Sequence, residues 1–188
     1  EQRDAEDMRV LLSAYFDTAR TVIERHGGVV EKFIGDAVMS VWGTPVAHED
    51  DAERAVRTAL ELVDAVEVLG QAEGVALQAR AGVLTGEAAT MPGSVSEGMV
   101  TGDMVNTASR LQSAADPGTV FVGEATFRAA SRAIAFEVVG ELSLKGKQAP
   151  VTAWRAMRVV AERGGVNRMT IELKRSQEEA LSAAKFAF

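Results

Sequence analysis

Val29-Val30-Glu31-Lys32-Phe33-Ile34-Gly35-Asp36-Ala37-Val38-Met39-Ser40-Val41-Trp42-Gly43 is the stretch on which the fold turns. Two short apolar runs flank Gly35-Asp36, a pattern that predicts a β-hairpin closed by a two-residue turn. Glycine suits such a turn because positive φ costs it little. The tip presents one carboxylate, Asp36, four residues after Lys32 on the incoming strand. Side chains two apart share a strand face, so Lys32 and Ile34 point the same way, and Asp36 follows where the turn permits. An acid and a base in an apolar hairpin suit catalysis or metal binding. A solvent-facing turn with an incidental ion pair explains them too, and the hairpin taken alone favours that reading.

Composition sets the frame. The chain has 188 residues, 47% hydrophobic and 25% charged, enough for one good core. A net charge of −7 and a pI near 5.0 argue against a broad electrostatic hold on nucleic acid. The absence of cysteine excludes disulfides and thiolate metal sites and fits a cytoplasmic chain. No apolar run approaches the roughly 18 residues of a membrane span, and no signal peptide is visible. The chain opens at Glu1-Gln2-Arg3 without a methionine and reads as a piece of something longer.

Outward from the hairpin, Met8, Leu11, Leu12, Tyr15, Ala19, Val22 and Ile23 recur at helical spacing upstream. Asp4 and Asp7 suit that helix's N-terminus, and His26-Gly27-Gly28 ends it. His26 reads as a C-terminal residue favouring the helix dipole, not as a ligand. Downstream, Gly43-Thr44-Pro45 stops the second strand. His48-Glu49-Asp50-Asp51 then opens a second helix, whose apolar stripe is Ala52, Ala55, Ala59, Leu62, Val63 and Val66. The acids there are read as first-turn charges complementing the dipole, since no other ligand chemistry converges on them locally.

Residues 75–84 alternate as a strand, and 91–97 form a polar arm bearing glycine and proline. A helix opens near Gly102-Asp103 and places Asn106 and Arg110 one turn apart on one face, with Met104, Ala108 and Leu111 toward the core. Alone, that polar pair is an ordinary solvated one. Asp116-Pro117-Gly118-Thr119 is a turn and 120–122 a buried strand, followed by a short helix over 124–130. Residues 134–139 and 142–144 are two strands, or one with a bulge. Lys145-Gly146-Lys147 is a plausible anion contact or an ordinary hairpin tip. Residues 151–156 close the sheet as an edge strand. Beyond Gly164-Gly165, 169–173 suggests a short strand and 176–188 a capped helix. Interleaved strands and helices with short connections predict an α+β fold, with helices on one face of a mainly antiparallel sheet.

Two stretches together carry a resemblance: Glu31-Lys32-Phe33-Ile34-Gly35-Asp36-Ala37-Val38-Met39 and Gly102-Asp103-Met104-Val105-Asn106-Thr107-Ala108-Ser109-Arg110-Leu111. Gly82-Val83-Leu84-Thr85-Gly86-Glu87 and Leu144-Lys145-Gly146-Lys147 agree in order and spacing. The chain resembles, over about residues 5–160, the catalytic domain of class III nucleotidyl cyclases, most of all those of actinobacterial signalling proteins. The resemblance implies the ferredoxin-like cyclase fold, a catalytic domain over 1–160 and an extension over 161–188. It further implies conversion of ATP to 3′,5′-cyclic AMP and pyrophosphate with Mg²⁺ or Mn²⁺. Asp36 then corresponds to one of two metal-bridging aspartates. Lys32 reads the adenine, Asn106 orients the ribose, and Arg110 stabilises charge at the α-phosphate. Lys145 or Lys147 holds the terminal phosphates. Two copies pair head to tail, Lys32 and Asp36 coming from one and Asn106 and Arg110 from the other.

Two departures accompany it. The family's first strand, with a phenylalanine-alanine-aspartate sequence carrying the other metal aspartate, belongs just before residue 1. Met99 stands where the family commonly places a hydrogen-bond acceptor for the adenine amino group, a role methionine fills poorly. A cyclase-fold module without catalysis, binding nucleotide or mediating dimerisation, is the alternative these departures suggest.

Overall fold

The computed structural model describes residues 5–87, 89–90 and 100–162. Helix α1 (Ala5–Arg25) has Glu6 and Asp7 in its first turn and Arg25 in its last, complementing both ends of its dipole. Its buried stripe of Leu11, Ala19, Val22 and Ile23 follows the expected spacing. Asp4 lies outside the described residues. Strands β1 (Val29–Ile34) and β2 (Ala37–Val41) form the antiparallel hairpin. Gly35, at φ 63°, takes the first central position of the turn, and no described non-glycine residue has positive φ, which fits a type II′ connection. Phe33 meets the ring of Phe16 at 4.3 Å and seats the hairpin on α1.

Helix α2 (Asp51–Ala72) is locked to the end of α1 through His26. The His26 carbonyl accepts from Trp42 Nε1 and from Arg54 Nη1, each at 3.2 Å. Arg54, 6% exposed, thus covers the helix end whose carbonyls lack internal partners. Asp50 and Asp51 are its counter-ions, so they neutralise a buried cation as well as opening α2. The His26 ring meets Glu61 at 2.7 Å, which ties the two helices together and leaves the dipole to Arg25 and Arg54.

The chain continues through β3 (Ala81–Val83), the short pair β4 (Ala89–Thr90) and β5 (Val100–Thr101), α3 (Asp103–Ala114), β6 (Val120–Gly123), α4 (Glu124–Ala130), β7 (Ile134–Leu142) and β8 (Val151–Val159). Four strands form a sheet in the order β3-β6-β8-β7, parallel between β3 and β6 and antiparallel elsewhere. Its α+β class is the one the sequence implies. The hairpin β1–β2 makes a ladder of its own.

Four details differ from the sequence reading. The strand over 75–84 shrinks to Ala81–Val83, because the Val75 N–H returns to the Gly70 carbonyl at 2.8 Å and closes α2. Of the two readings of 134–144 the single bulged strand is the one that forms, with register shifts between Ala135 and Phe136 and between Val138 and Gly140, but it stops at Leu142 and leaves Ser143 and Leu144 outside. The supposed edge strand, β8, is interior, paired on both sides, and β7 takes the edge. Small side chains permit this: Ala153 and Ala156 are 0% and 4% exposed. Finally, helices cover both sheet faces. Val120, Val122 and Ala156 pack with Val56, Ala59 and Val63 of α2, whereas Phe121 and Ala153 pack with Leu111 and Ala115 on the α3 side. The apolar run of β6, buried at every position, is what a strand covered on both faces requires. The expected arm over 91–97, the strand over 169–173 and the helix over 176–188 fall outside the described residues.

Candidate active site

Helix α3 is laid on the sheet by a missing side chain. A Cβ at Gly82 would sit 2.5 Å from the Gln112 nitrogen and 2.6 Å from the Ala108 carbonyl oxygen, so only glycine lets the helix backbone rest on β3. Leu111, fully buried, faces the core, and Thr107 is buried with its hydroxyl donating to the Asp103 carbonyl at 2.7 Å. Asn106 is left exposed and Arg110 half-buried.

The connection from β7 to β8 brings Lys145-Gly146-Lys147 against that helix. Lys147 N–H donates to the Leu144 carbonyl at 3.0 Å, and Gly146 has φ 77°, the geometry of a type II turn with glycine third. A Cβ on Gly146 would lie 3.2 Å from Arg110 Nη2. The guanidinium therefore sits directly over the turn. Lys147 Nζ is ion-paired with the Asp103 carboxylate at the start of α3. Asn106, Arg110 and Lys145 have no side-chain hydrogen bond or ion pair among the described residues. The turn that bears Lys145 and Lys147 thus packs against the helix that bears Arg110 and Asp103. Such an arrangement suits a phosphate, which takes charge-assisted hydrogen bonds from a guanidinium fork and ammonium groups.

Lys32 and Asp36 stand elsewhere, on the hairpin. Lys32 pairs across the ladder with Met39 and is half-buried, whereas Asp36 is exposed at the tip. Burial and, secondly, the Asp36 charge push the Tyr15 phenol above its ordinary pKa. The hairpin rests on α1, whereas α3 rests on β3, β5 and β6. No hydrogen bond or ion pair joins the two sets among the described residues. The candidate groups thus stand in two sets, one on the hairpin and one beside α3. Met99 lies outside the described residues.

Among the described residues no three metal-ligating acids or histidines cluster. Mg²⁺ commonly takes one or two carboxylates and completes its octahedron with water and substrate phosphates. Asp36, an exposed hard-oxygen donor without an ion-pair partner among the described residues, fits one such ligand. A cleft of about 430 Å³ beside His26, Arg57, Glu61 and Arg158 includes none of the candidate residues. The contacts of Asp103 with Lys147 and of Gly146 with Arg110 were invisible in sequence. Asp103 reads as a first-turn acid, and its partner Lys147 lies 44 residues away.

Comparison with known proteins places the fold in a family. The model of the adenylate and guanylate cyclase catalytic domain matches residues 1–156. Adenylate cyclase 1 of Rhizobium meliloti (strain 1021) is 31% identical over 169 residues, covering 85% of this chain and 25% of that protein. The adenylyl cyclase CyaB of P. aeruginosa superposes with a TM-score of 0.76 at 27% identity, over 84% of this chain and 85% of that one. The guanylyl cyclase Cya2 gives 0.74 at 28% identity, over 88% and 87%. The chain spans 15% and 25% of the length of two Rhizobium relatives it matches. With a family model over most of its length, and with the cyclase fold in hand, the chain belongs to the class III adenylate and guanylate cyclase catalytic domains.

Proposed function

We propose that residues 1–160 act as an adenylate cyclase, converting ATP to 3′,5′-cyclic AMP and pyrophosphate, with 161–188 an extension of the catalytic body. The reading is supported above all by Arg110, a guanidinium unpaired among the described residues and seated over the Lys145-Gly146-Lys147 turn. Two copies paired head to tail complete the site. Lys32 and Asp36 come from one copy, Asn106 and Arg110 from the other.

In the reaction the ribose 3′-oxygen forms a bond to the α-phosphorus, the bond from that phosphorus to the bridging oxygen breaks, and pyrophosphate leaves. Mg²⁺ or Mn²⁺ held by Asp36 and the phosphates would supply charge neutralisation and a more acidic 3′-hydroxyl. Asn106 positions the ribose, so that the attacking oxygen stays near the phosphorus. Arg110 donates to the α-phosphate oxygens as their charge grows. A lysine of the turn holds the terminal phosphates, and Lys32 donates to the purine N1 acceptor, which adenine offers and guanine does not. We place the reaction in the cytoplasm, where ATP is supplied; among the described residues no helix is long and apolar enough to cross a membrane.

A nucleotide-binding module without catalysis is the second reading, favoured by the single carboxylate, Asp36, on the described hairpin tip. Incubation of the full-length protein with Mn²⁺ and ATP, then GTP, separates the two. Cyclic AMP as the main product, lost in Asp36→Ala, is expected. Bound ATP without any cyclic product would leave the module reading, and cyclic GMP in excess would reverse the base assignment.

A further inference from the structure

The turn that carries two lysines does not use them alike. Resting on the cyclase reading above, in which a lysine of this turn holds the terminal phosphates, we infer that Lys147 is a positioning residue acting through Asp103, which leaves that phosphate contact to Lys145. The turn is fixed at three points. Leu144 is 7% exposed and anchors its start in the core. Gly146 lies against the Arg110 guanidinium, where an added Cβ would come within 3.2 Å of Nη2. Lys147, its side chain 24% exposed, spends its charge on Asp103. Lys145 occupies the outer corner of the turn, exposed and without a partner among the described residues.

This arrangement has a consequence for Arg110. Asp103 and Arg110 stand on the same helix, about two turns apart, so the Lys147 bridge ties the turn to the helix that carries the guanidinium. With the bridge closed, Gly146 is held beneath Arg110 and fixes its height over the turn. With the bridge open, the turn is free to shift on its glycine, and Arg110 loses the surface that aims it.

The two roles give different kinetics. In the full-length protein with Mn²⁺, Lys145→Ala removes a charge-assisted phosphate contact and raises the KM for ATP about tenfold or more. Lys147→Ala and Asp103→Asn each lower kcat several-fold with little change in KM, and the double variant is no worse than either single one, because one interaction is lost once. Lys147→Arg keeps the bridge and the rate. The exchanged pair, Asp103→Lys with Lys147→Asp, restores kcat toward the parent value. The inference is overturned if Lys147→Ala raises KM as Lys145→Ala does while Asp103→Asn is silent, or if the exchanged pair, folded by its melting curve, stays as slow as Lys147→Ala. Failure of the cyclase reading is separable, because it shows in the unaltered protein as no cyclic nucleotide. Equilibrium dialysis with ATP then replaces the rates: Lys145→Ala must weaken binding more than Lys147→Ala, and an equal or reversed order, or no binding at all, overturns the inference.

Discussion

Arg110 is where residue chemistry and function meet most closely. In the proposed reaction a half-buried guanidinium held over a glycine turn would be pre-aimed, its orientation set on folding and not at the moment of reaction. Arg110→Ala should lower kcat by about 10²-fold or more while changing KM for ATP far less. Steady-state kinetics check this, and an effect confined to KM would mean that Arg110 merely binds substrate. Tyr15 gives a second prediction. Burial, and then the Asp36 charge, hold its phenol protonated to higher pH in the folded protein. The unfolded chain therefore ionises first, and stability falls as pH rises past about 10. Tyr15→Phe should flatten that alkaline loss, read from urea midpoints at pH 9 to 11. The roles proposed for Asn106 and Arg110 come from the resemblance; residue spacing alone shows an ordinary helical pair. Which lysine of the turn is free could not be read there, since the Asp103 partnership spans residues far apart in the chain.

At the scale of elements, the contact of α3 with β3 sets where those side chains stand. Gly82 makes it possible, with helix backbone on the far side that cannot swing away. Gly82→Ala should therefore destabilise by about 1–3 kcal/mol and lower activity at temperatures where the protein stays folded, since α3 must lift. A urea melt beside the rate measurement tests this; an unchanged midpoint would show that the helix has room. Helices, the hairpin and its turn were legible because apolar spacing and a glycine-bearing tip act locally. The position of β8 was not. Its Thr152 and Arg155 look like an edge, whereas pairing on both sides depends on Ala153 and Ala156 meeting layers from elsewhere in the chain. The covering of both faces was written in Val120-Phe121-Val122, apolar at each position, but a short apolar run does not say what packs on either side.

For the whole molecule, the distribution of the candidate groups is the main result. The hairpin on α1 carries Lys32 and Asp36, the α3 corner carries Asn106, Arg110 and the lysine turn, and no hydrogen bond or ion pair links them among the described residues. Under the proposed reading, a site that needs both sets is supplied by two copies, each contributing one half to each of two sites. Activity per chain should then fall with dilution as dimers dissociate. The most direct measurement mixes two variants of the full-length protein, Asp36→Ala and Arg110→Ala, each inactive alone, and follows cyclic AMP. If sites are shared, half of randomly exchanged dimers are mixed and each rebuilds one intact site, so about a quarter of the parent activity should return. If mixed dimers form and no activity appears, each copy must carry a complete site of its own, and the shared-site account is wrong.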